Sequence, residues 1–527
     1  MLKSINLRNY KAFDDVTIPI CPLTILLGAN SVGKSSIIQM LMLLHQTAEE
    51  KGSSYSSALK IYGRYVNGGS FENLFKRRNT KVPIGLRLAF SSETLSRSLS
   101  EKRSRYISDF QDLCRYFPLK KLWDMSALKI SNKKEFYDFV VGFFDLLDKK
   151  GAEAYKPHLE HFLKKRLGIS KAEQKRLTHP DIMKAYNLLD YLEKKRTSDS
   201  FAIDYEIALN KEKTQLYVNK ISFLLDDDTV LLSISCNEES GYDVKSNVVD
   251  LTVSDKNFVG NFFNPNTTIF DCIMEGGKTD NNDTSSFGHF IHVVLLEILR
   301  QSSECLSEYM INYVSPLRAH PKRYYMLDKA KITISLDTLD GDAIAEVLKE
   351  NGKVKTDVNG WLSKFGFKVS VREFKEVIHH LNVTQNDMNL DITDVGFGIS
   401  QVLPIIIQGF LSMEKSVTIV EQPEIHLHPR MQADLGDLFI DMITSTKKKM
   451  IIETHSEYLL KRIRRRISEK KISNKDVAIC LFHPRIDNKD AWVETLDVDD
   501  KGMFVWPENF YDGELLKDIT EFLKNQN

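Results

Sequence analysis

The sequence comprises 527 residues, in which 72 lysines and arginines balance 72 aspartates and glutamates, and 42% of the residues are hydrophobic. Such a chain has material for two to four domains, and its balanced charge excludes a global field that would draw it to nucleic acid, membranes or acidic substrates. The six cysteines form no CxxC pair, and we find no signal peptide or membrane-length apolar run. We therefore expect a cytoplasmic protein with reduced thiols and no membrane partner.

Three short strand patterns precede the first functional motif. They lie near residues 5–7, 16–20 and 24–27, and the third leads into Gly28-Ala29-Asn30-Ser31-Val32-Gly33-Lys34-Ser35. Residues 36–44 are then apolar on nearly every side, as in a helix buried against a sheet. Strand, loop and helix thus follow in the order that a GxxxxGK[ST] phosphate loop requires.

The residue types in this loop fit its chemistry. Gly28 and Gly33 let the backbone curl so that successive N–H groups face phosphate oxygens, while Lys34 brings positive charge to the outer phosphates and Ser35 can ligate magnesium. A structural glycine turn is the simpler alternative, but the flanking strand and helix favour a nucleotide site. We predict ATP and Mg²⁺ as cofactors, bound by Asn30, Ser31, Val32, Gly33, Lys34, Ser35 and Ser36.

The pattern changes twice along the middle of the chain. Residues 94–197 are helical in pattern and mildly basic, without sustained heptads, which predicts a helical insertion rather than a long coiled coil. Alternating strands return over 201–251, a polar stretch at 279–286 is the best linker candidate, and an apolar helix follows at 290–299. From residue 391 strands and helices alternate, which indicates parallel strands with crossover helices.

Two strand ends near the C-terminus carry polar residues. The strand at 416–420 ends on Glu421, a carboxylate that can hold magnesium beside the phosphate loop. The strand at 449–453 runs into His455, which can donate a hydrogen bond to a terminal phosphate. Either residue could simply cap the next helix, but the upstream phosphate loop favours the functional interpretation.

Longer motifs around these residues give a specific resemblance. The segments DVGFGISQVLP, VEQPEIHLHP and ETHS occupy residues 394–404, 420–429 and 453–456. With them the chain resembles the ABC-class AAA ATPases related to overcoming-lysogenization-defect proteins, in the branch that ends in domain of unknown function 3696. Two further segments fit that branch, at residues 313–318 and 506–512. The resemblance leaves the helical insertion uncovered.

The resemblance implies an α/β fold, namely an ABC-type ATPase head with a mixed sheet plus a parallel P-loop sheet flanked by helices, and an α-helical insertion. Five segments are expected. Residues 1–93 form the N-terminal part of the head with the phosphate loop, residues 94–200 the insertion, and residues 201–390 a strand-rich and helical middle part. Residues 391–480 carry the signature, the Walker B strand and the switch histidine, and residues 481–527 form a C-terminal subdomain.

The resemblance also implies residue roles. The signature segment would run from Gly396 to Gln401. Ser400 and the adjacent backbone, with Gly398 and Gln401, would reach the terminal phosphate that the other subunit holds. Two ATP molecules would join a twofold-symmetric homodimer or a higher oligomer. His455 would act as the switch histidine.

One position departs from the family pattern. ABC ATPases typically end the Walker B strand in Asp-Glu, whereas this chain has Glu421 and Gln422. A glutamine can orient the attacking water but cannot take its proton. Either Glu424 supplies the missing carboxylate from the loop, or the site binds ATP and turns it over slowly, which we favour.

Three weaker features allow a structural and a functional interpretation. The basic run at 461–466 fits a solvated helix face better than a nucleic-acid patch. Asp497 and Asp499 are similar to the paired acids of a metal-dependent nuclease, but the sequence around them favours a hairpin turn. His426 and His428 lack a third ligand for zinc, and we assign them to the dimer interface.

Three functions remain open on this basis. The first is a slowly hydrolysing ABC-class ATPase that dimerises through nucleotide and regulates a separate effector subunit, expected to be a nuclease, as in the Septu-type and retron-associated anti-phage systems that this branch resembles. The second is a RecF-like ATP clamp that binds DNA in repair. The third is a nuclease that needs Asp497 and Asp499.

Overall fold

The computed structural model describes residues 1–30, 32–49, 57–91, 107–108, 111–112, 114–115, 120–130, 132–149, 179–194, 200–225, 229–237, 241–275, 285–307, 310–316, 318, 322–326, 342–375, 378–385, 387–395, 397–484, 490–505 and 524. Within these residues, no helix combines the length and apolar character needed to cross a bilayer.

The strands, in chain order, are β1 (Leu2–Tyr10), β2 (Phe13–Pro19), β3 (Leu23–Gly28), β4 (Ile84–Ser91), β5 (Ser200–Leu209), β6 (Leu216–Leu225), β7 (Thr229–Asn237), β8 (Gly241–Lys245), β9 (Ile311–Val314), β10 (Tyr325–Met326), β11 (Phe367–Lys375), β12 (Ile378–Gln385), β13 (Met388–Asp391), β14 (Val417–Glu421), β15 (Lys449–Glu453), β16 (Val477–His483) and β17 (Trp492–Leu496).

The α-helices are α1 (Lys34–Ala48), α2 (Lys120–Ser126), α3 (Lys133–Lys149), α4 (His179–Lys194), α5 (Val253–Asn261), α6 (Ser286–Glu304), α7 (Asp342–Glu350), α8 (Gly352–Leu362), α9 (Phe397–Leu411), α10 (Pro429–Thr446) and α11 (Glu457–Ser468). Short 3₁₀ turns occur at Phe71–Leu74, Lys76–Arg78, Ser363–Phe365 and Asn474–Asp476.

Most elements predicted from hydrophobic periodicity are present. The three N-terminal strand patterns correspond to β1, β2 and β3, and the apolar run after the phosphate loop lies within α1. The described parts of the insertion are helical, and the alternating strands that follow it form β5 to β8. Of the predicted linker, Ser285 caps α6 by accepting a hydrogen bond from the Gly288 N–H, and Ser286 begins that helix. The remainder lies outside the described residues.

Two large sheets organise the described chain. One is antiparallel, in the spatial order β2-β1-β4-β5-β6-β7-β8. The other has the order β17-β16-β3-β15-β14-β9, in which β16, β3, β15, β14 and β9 are parallel neighbours and β17 is antiparallel to β16. The predicted α/β architecture is confirmed; the sheet expected to be mixed is antiparallel, and the P-loop sheet is parallel except for β17. A small antiparallel sheet of β10 to β13 packs with α7 and α8.

The P-loop sheet is buried on both faces. Because side chains alternate along a strand, Leu26 of β3 points into the core shared with the antiparallel sheet, whereas Ile25 and Leu27 point into a second core with α9, α10 and α11. This two-sided burial explains why the strands read as nearly continuous apolar runs. It also leaves their polar terminal residues at one edge of the sheet.

The basic run at 461–466 lies on α11, and its cations are engaged. The Arg462 and Arg466 guanidinium groups both bond Asp437 on the neighbouring α10. The other contacts join Lys461 to Glu457, Arg462 to Asp434, Arg464 to the Gly502 carbonyl oxygen, and Arg465 and Arg466 to Glu469. These pairs support the interpretation as a structural helix face.

Replacing Asp437 with asparagine is expected to lower the free energy of unfolding by about 1–3 kcal/mol, because two partly buried guanidinium groups lose their shared carboxylate. Although burial alone would raise the Asp437 pKa, the hydrogen bond from Arg466 and the charge of Arg462 hold it below its usual range. Chemical denaturation measures the loss. Asp441→Asn, at an exposed position of the same helix, is the control and should change stability by less than about 0.5 kcal/mol. Equal stability of the two variants would contradict the assignment.

Candidate nucleotide site

Three parallel strands end side by side at one edge of the sheet. In the strand pairing Glu421 of β14 lies opposite Glu453 of β15, and Glu453 lies opposite Leu26 of β3. The phosphate loop begins two residues after Leu26, at Gly28. The sheet therefore brings together the loop and the strand ends that the sequence predicted to form one site.

Both loop glycines are required by conformation and by space. Gly28 has φ +138°, and a Cβ there would lie 2.6 Å from the Phe482 carbonyl oxygen of the neighbouring β16. Gly33 has φ +108°, and its Cβ would lie 2.5 Å from Cζ of Phe13. An L-residue at either position would be strained in its backbone and would collide with its neighbour. The loop is thus held in a tight curl at the start of α1.

Lys34 is buried and folded back onto the loop. Its Nζ donates to the carbonyl oxygens of Gly28 and Ala29, at 2.9 and 2.7 Å, and lies 3.6 Å from Oε1 of Glu453. Burial lowers the pKa of Lys34, against the opposing effect of Glu453. Lys34 is therefore positioned between the phosphate loop and its acidic partner Glu453.

The predicted magnesium residue is fixed by the strand beside it. Tyr313 of β9 donates its hydroxyl to Oε1 of Glu421 at 2.6 Å. Arg318 donates to the backbone carbonyl oxygens of Glu421 and Gln422, at 2.8 and 3.0 Å. Burial lowers the pKa of Arg318 to about 10. The end of β14 is thus held by two residues that lie more than 100 positions upstream.

Gln422 stands at a sharp bend immediately after β14. Its φ is +45°, an unusual value for a residue with a side chain, and its N–H donates to the Glu453 carbonyl oxygen at 2.7 Å. The bend turns the chain away from the sheet, so Glu424 is carried towards the loop after β15. Gln422 and Glu424 therefore occupy different surroundings although they are two residues apart.

Glu424 connects the loop after β14 to the loop after β15. Its Oε2 accepts from the Thr454 hydroxyl at 2.8 Å, and its Oε1 accepts from the His455 backbone N–H at 2.6 Å. Burial raises the pKa of Glu424 in spite of these hydrogen bonds. Both carboxylate oxygens are engaged in holding the segment that carries the predicted switch histidine.

His455 lies in that segment with a buried ring nitrogen. Within the described residues its Nε2 has no hydrogen-bond partner. Burial and then the charge of Lys34 lower the His455 pKa, which favours the neutral ring. The next residue, Ser456, caps α11 and donates to Gln432 of α10. His455 is therefore anchored on both sides while its own ring nitrogen is left for another acceptor or donor.

The predicted signature residues lie at the start of α9. Ser400 and Gln401 are buried within the protomer, and Gly396 lies outside the described residues. A Cβ on Gly398 would come within 3.3 Å of the His426 carbonyl oxygen, so α9 begins against the loop that follows β14. The role of Ser400 at a partner's phosphate stays a prediction.

The structure places the remaining candidates as follows. Ala29, Asn30 and Ser35 are exposed at the loop, Val32 is buried, and Ser31 lies outside the described residues. His428 accepts a hydrogen bond from the Arg430 N–H and caps α10. Asp499 accepts from the backbone N–H groups of Lys501 and Met503, which confirms the predicted turn.

Sequence reasoning missed four residues of the site, namely Glu453, Thr454, Tyr313 and Arg318. Glu453 carried a signal, because a single carboxylate at the end of an apolar strand is costly to bury without a compensating partner. The segment at 313–318 was noted only as part of the family resemblance, and nothing in it indicated the contacts of Tyr313 and Arg318 with the end of β14, since these partners are distant in sequence.

The arrangement suits ATP and magnesium. Unpartnered polar atoms within the described residues include Oε2 of Glu453, Nε2 of His455, and Nε and Nη1 of Arg318. Hard oxygen donors, which magnesium prefers, come from Ser35 and Glu421, and the lysine and backbone N–H groups of the loop suit phosphate oxygens. Magnesium bound there would neutralise charge on the outer phosphates.

Comparison with known proteins finds a family and a curated relative for this chain. The model of the family described as AAA ATPase domain matches residues 1–460. The chain is also similar to the OLD nuclease of Thermus scotoductus, at 24% identity over 134 residues that make up 23% of this chain and 25% of that protein. The chain therefore spans about a quarter of the length of this curated relative.

Three solved structures show low similarity. The SMC head domain from Thermotoga maritima is 9% identical, with 94% of this chain and 99% of that chain covered and a TM-score of 0.33. The Smc head bound to the C-terminal domain of ScpA from Pyrococcus furiosus is 10% identical, with 99% of each chain covered and a TM-score of 0.36. The SmcHead bound to the C-winged helix domain of ScpA is 12% identical, with 95% of this chain and 98% of that chain covered and a TM-score of 0.36.

Replacing Gly28 with alanine is expected to cost about 2–5 kcal/mol of unfolding free energy, because the new Cβ meets the rigid Phe482 backbone at a positive φ. Gly360→Ala is the matched control, since a Cβ there meets nothing within 4 Å and lies inside α8. This control should stabilise the protein by up to about 1 kcal/mol. Chemical denaturation compares the two, and a neutral Gly28→Ala would contradict the steric account.

The buried acid also predicts a pH dependence. Burial and then the neighbouring charge of Glu421 raise the pKa of Glu453 from 4.5 to about 7. Between these values the folded state binds more protons than the unfolded state, so stability falls as pH rises from about 4.5 to 7. We expect a loss of about 1–3 kcal/mol from this group in metal-free buffer. Glu453→Gln should remove this contribution to the pH dependence of the unfolding free energy, measured by urea unfolding at several pH values. Parallel plots of stability against pH for the two proteins would contradict the prediction.

Proposed function

This chain belongs to the AAA ATPase domain family, and from that premise we propose that it is an ABC-class ATPase that binds Mg²⁺-ATP at residues 28–35 and hydrolyses it slowly. The observation that carries the proposal is the convergence of Lys34, Glu421 and the His455 segment at one edge of the P-loop sheet. Lys34 and the loop N–H groups would hold the phosphates. Ser35 and Glu421 would hold magnesium.

Slow hydrolysis follows from the groups around the expected attacking water. Gln422 takes the position of the usual catalytic glutamate and cannot accept a proton. Glu424, the alternative base, uses both oxygens to hold Thr454 and His455. General-base assistance contributes roughly 100- to 10,000-fold to such reactions. Without it the protein would spend most of its time with ATP bound.

ATP binding would be transmitted through the two loops that Glu424 joins. A terminal phosphate near His455 would act on α11 through Ser456, and on the loop after β14 through Glu424. That loop contacts the start of α9 at Gly398. In the proposed homodimer or higher oligomer, α9 must shift for the buried Ser400 to reach a partner's ATP. The contact between Gly398 and His426 is the one that would open.

The proposed output is regulation of a separate effector subunit, expected to be a nuclease, in anti-phage defence in the cytoplasm. Support comes from the motif resemblance and from the similarity to a protein named OLD nuclease. Asp499 forms a turn, so we expect no nuclease site at Asp497 and Asp499 in this chain. The pairing of the α11 cations gives no support to a RecF-like clamp on DNA.

ATP turnover and oligomeric state test this function together. Lys34→Ala should abolish ATP binding and ATP-dependent dimers. Gln422→Glu should raise turnover at least 10-fold, because it restores a proton acceptor. Glu424→Gln should change turnover less than 10-fold if this residue holds the switch loop. Turnover and mass photometry with and without ATP provide both measurements.

The control is Glu414→Gln, which removes an exposed charge just before β14, at the opposite end of that strand from the site. It should behave as the native chain. Native ATP affinity in Lys34→Ala would overturn the proposed site. A loss of turnover of 100-fold or more in Glu424→Gln, with dimers retained, would instead make Glu424 the catalytic base.

A further inference from the structure

Glu453 is an acid that the proposed roles leave unexplained. It ends β15, whose preceding residues Met450, Ile451 and Ile452 are buried and apolar, and it is itself 4% exposed. Burying a carboxylate is costly unless a cation or several hydrogen bonds compensate it. A cation, hydrogen bonds or a bound proton must therefore compensate this carboxylate.

A second acid makes this need stronger. Glu421 lies opposite Glu453 on the adjacent parallel strand, where backbones are about 4.8 Å apart. Two neighbouring carboxylates disfavour each other's ionisation unless a cation lies between or beside them. Glu421 receives one hydrogen bond from Tyr313, and Oε2 of Glu453 has no partner within the described residues. The pair is thus incompletely compensated by the protein alone.

Lys34 supplies only part of the compensation. Its Nζ lies 3.6 Å from Oε1 of Glu453, but it also donates to the carbonyl oxygens of Gly28 and Ala29. Binding of ATP would draw this ammonium group towards the outer phosphates. The two acids would then lose their nearest cation at the moment when phosphate charge arrives.

We propose that Glu453 is a second carboxylate of the magnesium site beside Glu421, and that Lys34 is its counter-ion while no nucleotide is bound. This inference rests on the proposed function. Magnesium is commonly held by one or two carboxylates plus phosphate oxygens and water. Among the described residues no group of three or more histidine, cysteine, aspartate or glutamate side chains could hold a metal, so the remaining ligands would be Ser35, phosphate and water.

The proposal makes metal and nucleotide binding cooperative. Lys34 leaves Glu453 for the phosphates, and Mg²⁺ takes its place beside both acids. Metal should therefore bind the nucleotide-loaded protein much more tightly than the empty protein, beyond the affinity that the nucleotide has for metal in solution.

The test measures metal affinity rather than turnover. The full-length protein is saturated with the non-hydrolysable analogue AMP-PNP and titrated with Mn²⁺, and bound metal is followed by electron paramagnetic resonance. Glu453→Gln should weaken Mn²⁺ binding about 10- to 100-fold. Glu414→Gln should bind Mn²⁺ as the native chain does. The affinity of Glu453→Gln for AMP-PNP in EDTA should be equal to the native value or higher, since Lys34 is released.

Several results would overturn the proposal. Mn²⁺ affinity of folded Glu453→Gln within twofold of the native value would remove Glu453 from the metal site. A drop in metal-free AMP-PNP affinity with unchanged Mn²⁺ affinity would make Glu453 only a support for Lys34. If Glu453→Gln fails to fold, Glu453→Asp decides, because its shorter carboxylate should still weaken Mn²⁺ binding. Failure of the native chain to bind AMP-PNP at all would contradict the proposed function instead.

Discussion

The structure depends on the P-loop sheet, which is buried on both faces and carries charged residues at the ends of its strands. Burial makes β3, β15 and β14 mostly apolar along their length, and their charged residues stand only at the strand ends. Parallel pairing then sets those ends side by side, with Lys34, Glu453 and Glu421 in one row. The same constraint that builds the core therefore concentrates the ionisable groups where a phosphate can reach them.

The loops at this edge share their hydrogen bonds, so they form one unit. Glu424 joins the segment after β14 to the segment after β15, and Arg318, which lies beyond the end of β9, fixes the bend at Gln422. Buried polar networks of this kind respond as a whole, since an unpartnered member is costly. Under the proposed function, a phosphate at His455 would thus act on both α11 and the start of α9.

Prediction from sequence succeeded where the chemistry is local. Strand, glycine loop and helix follow one another within about 25 residues, so periodicity and the GxxxxGKS spacing were enough to locate β3, the phosphate loop and α1. The turn at Asp499 and the apolar helix at 290–299, which lies within α6, were likewise predicted from contiguous residues. The role of Glu453 was not predicted, because it was taken only as the last residue of a strand. The signal was a carboxylate at the end of an apolar run.

The sequence by itself thus determined the nucleotide loop, the strand that carries Glu421 and the position of His455, because each is written in neighbouring residues. Only the tertiary structure decided what these groups contact. Tyr313 reaches Glu421 across 108 positions, and Arg318 reaches the same strand end across 103. Such contacts arise from strand order, which depends on how the whole chain buries its apolar surface. For the same reason the fold alone revealed that Glu424 holds the loop after β15 and that Glu453 faces Lys34.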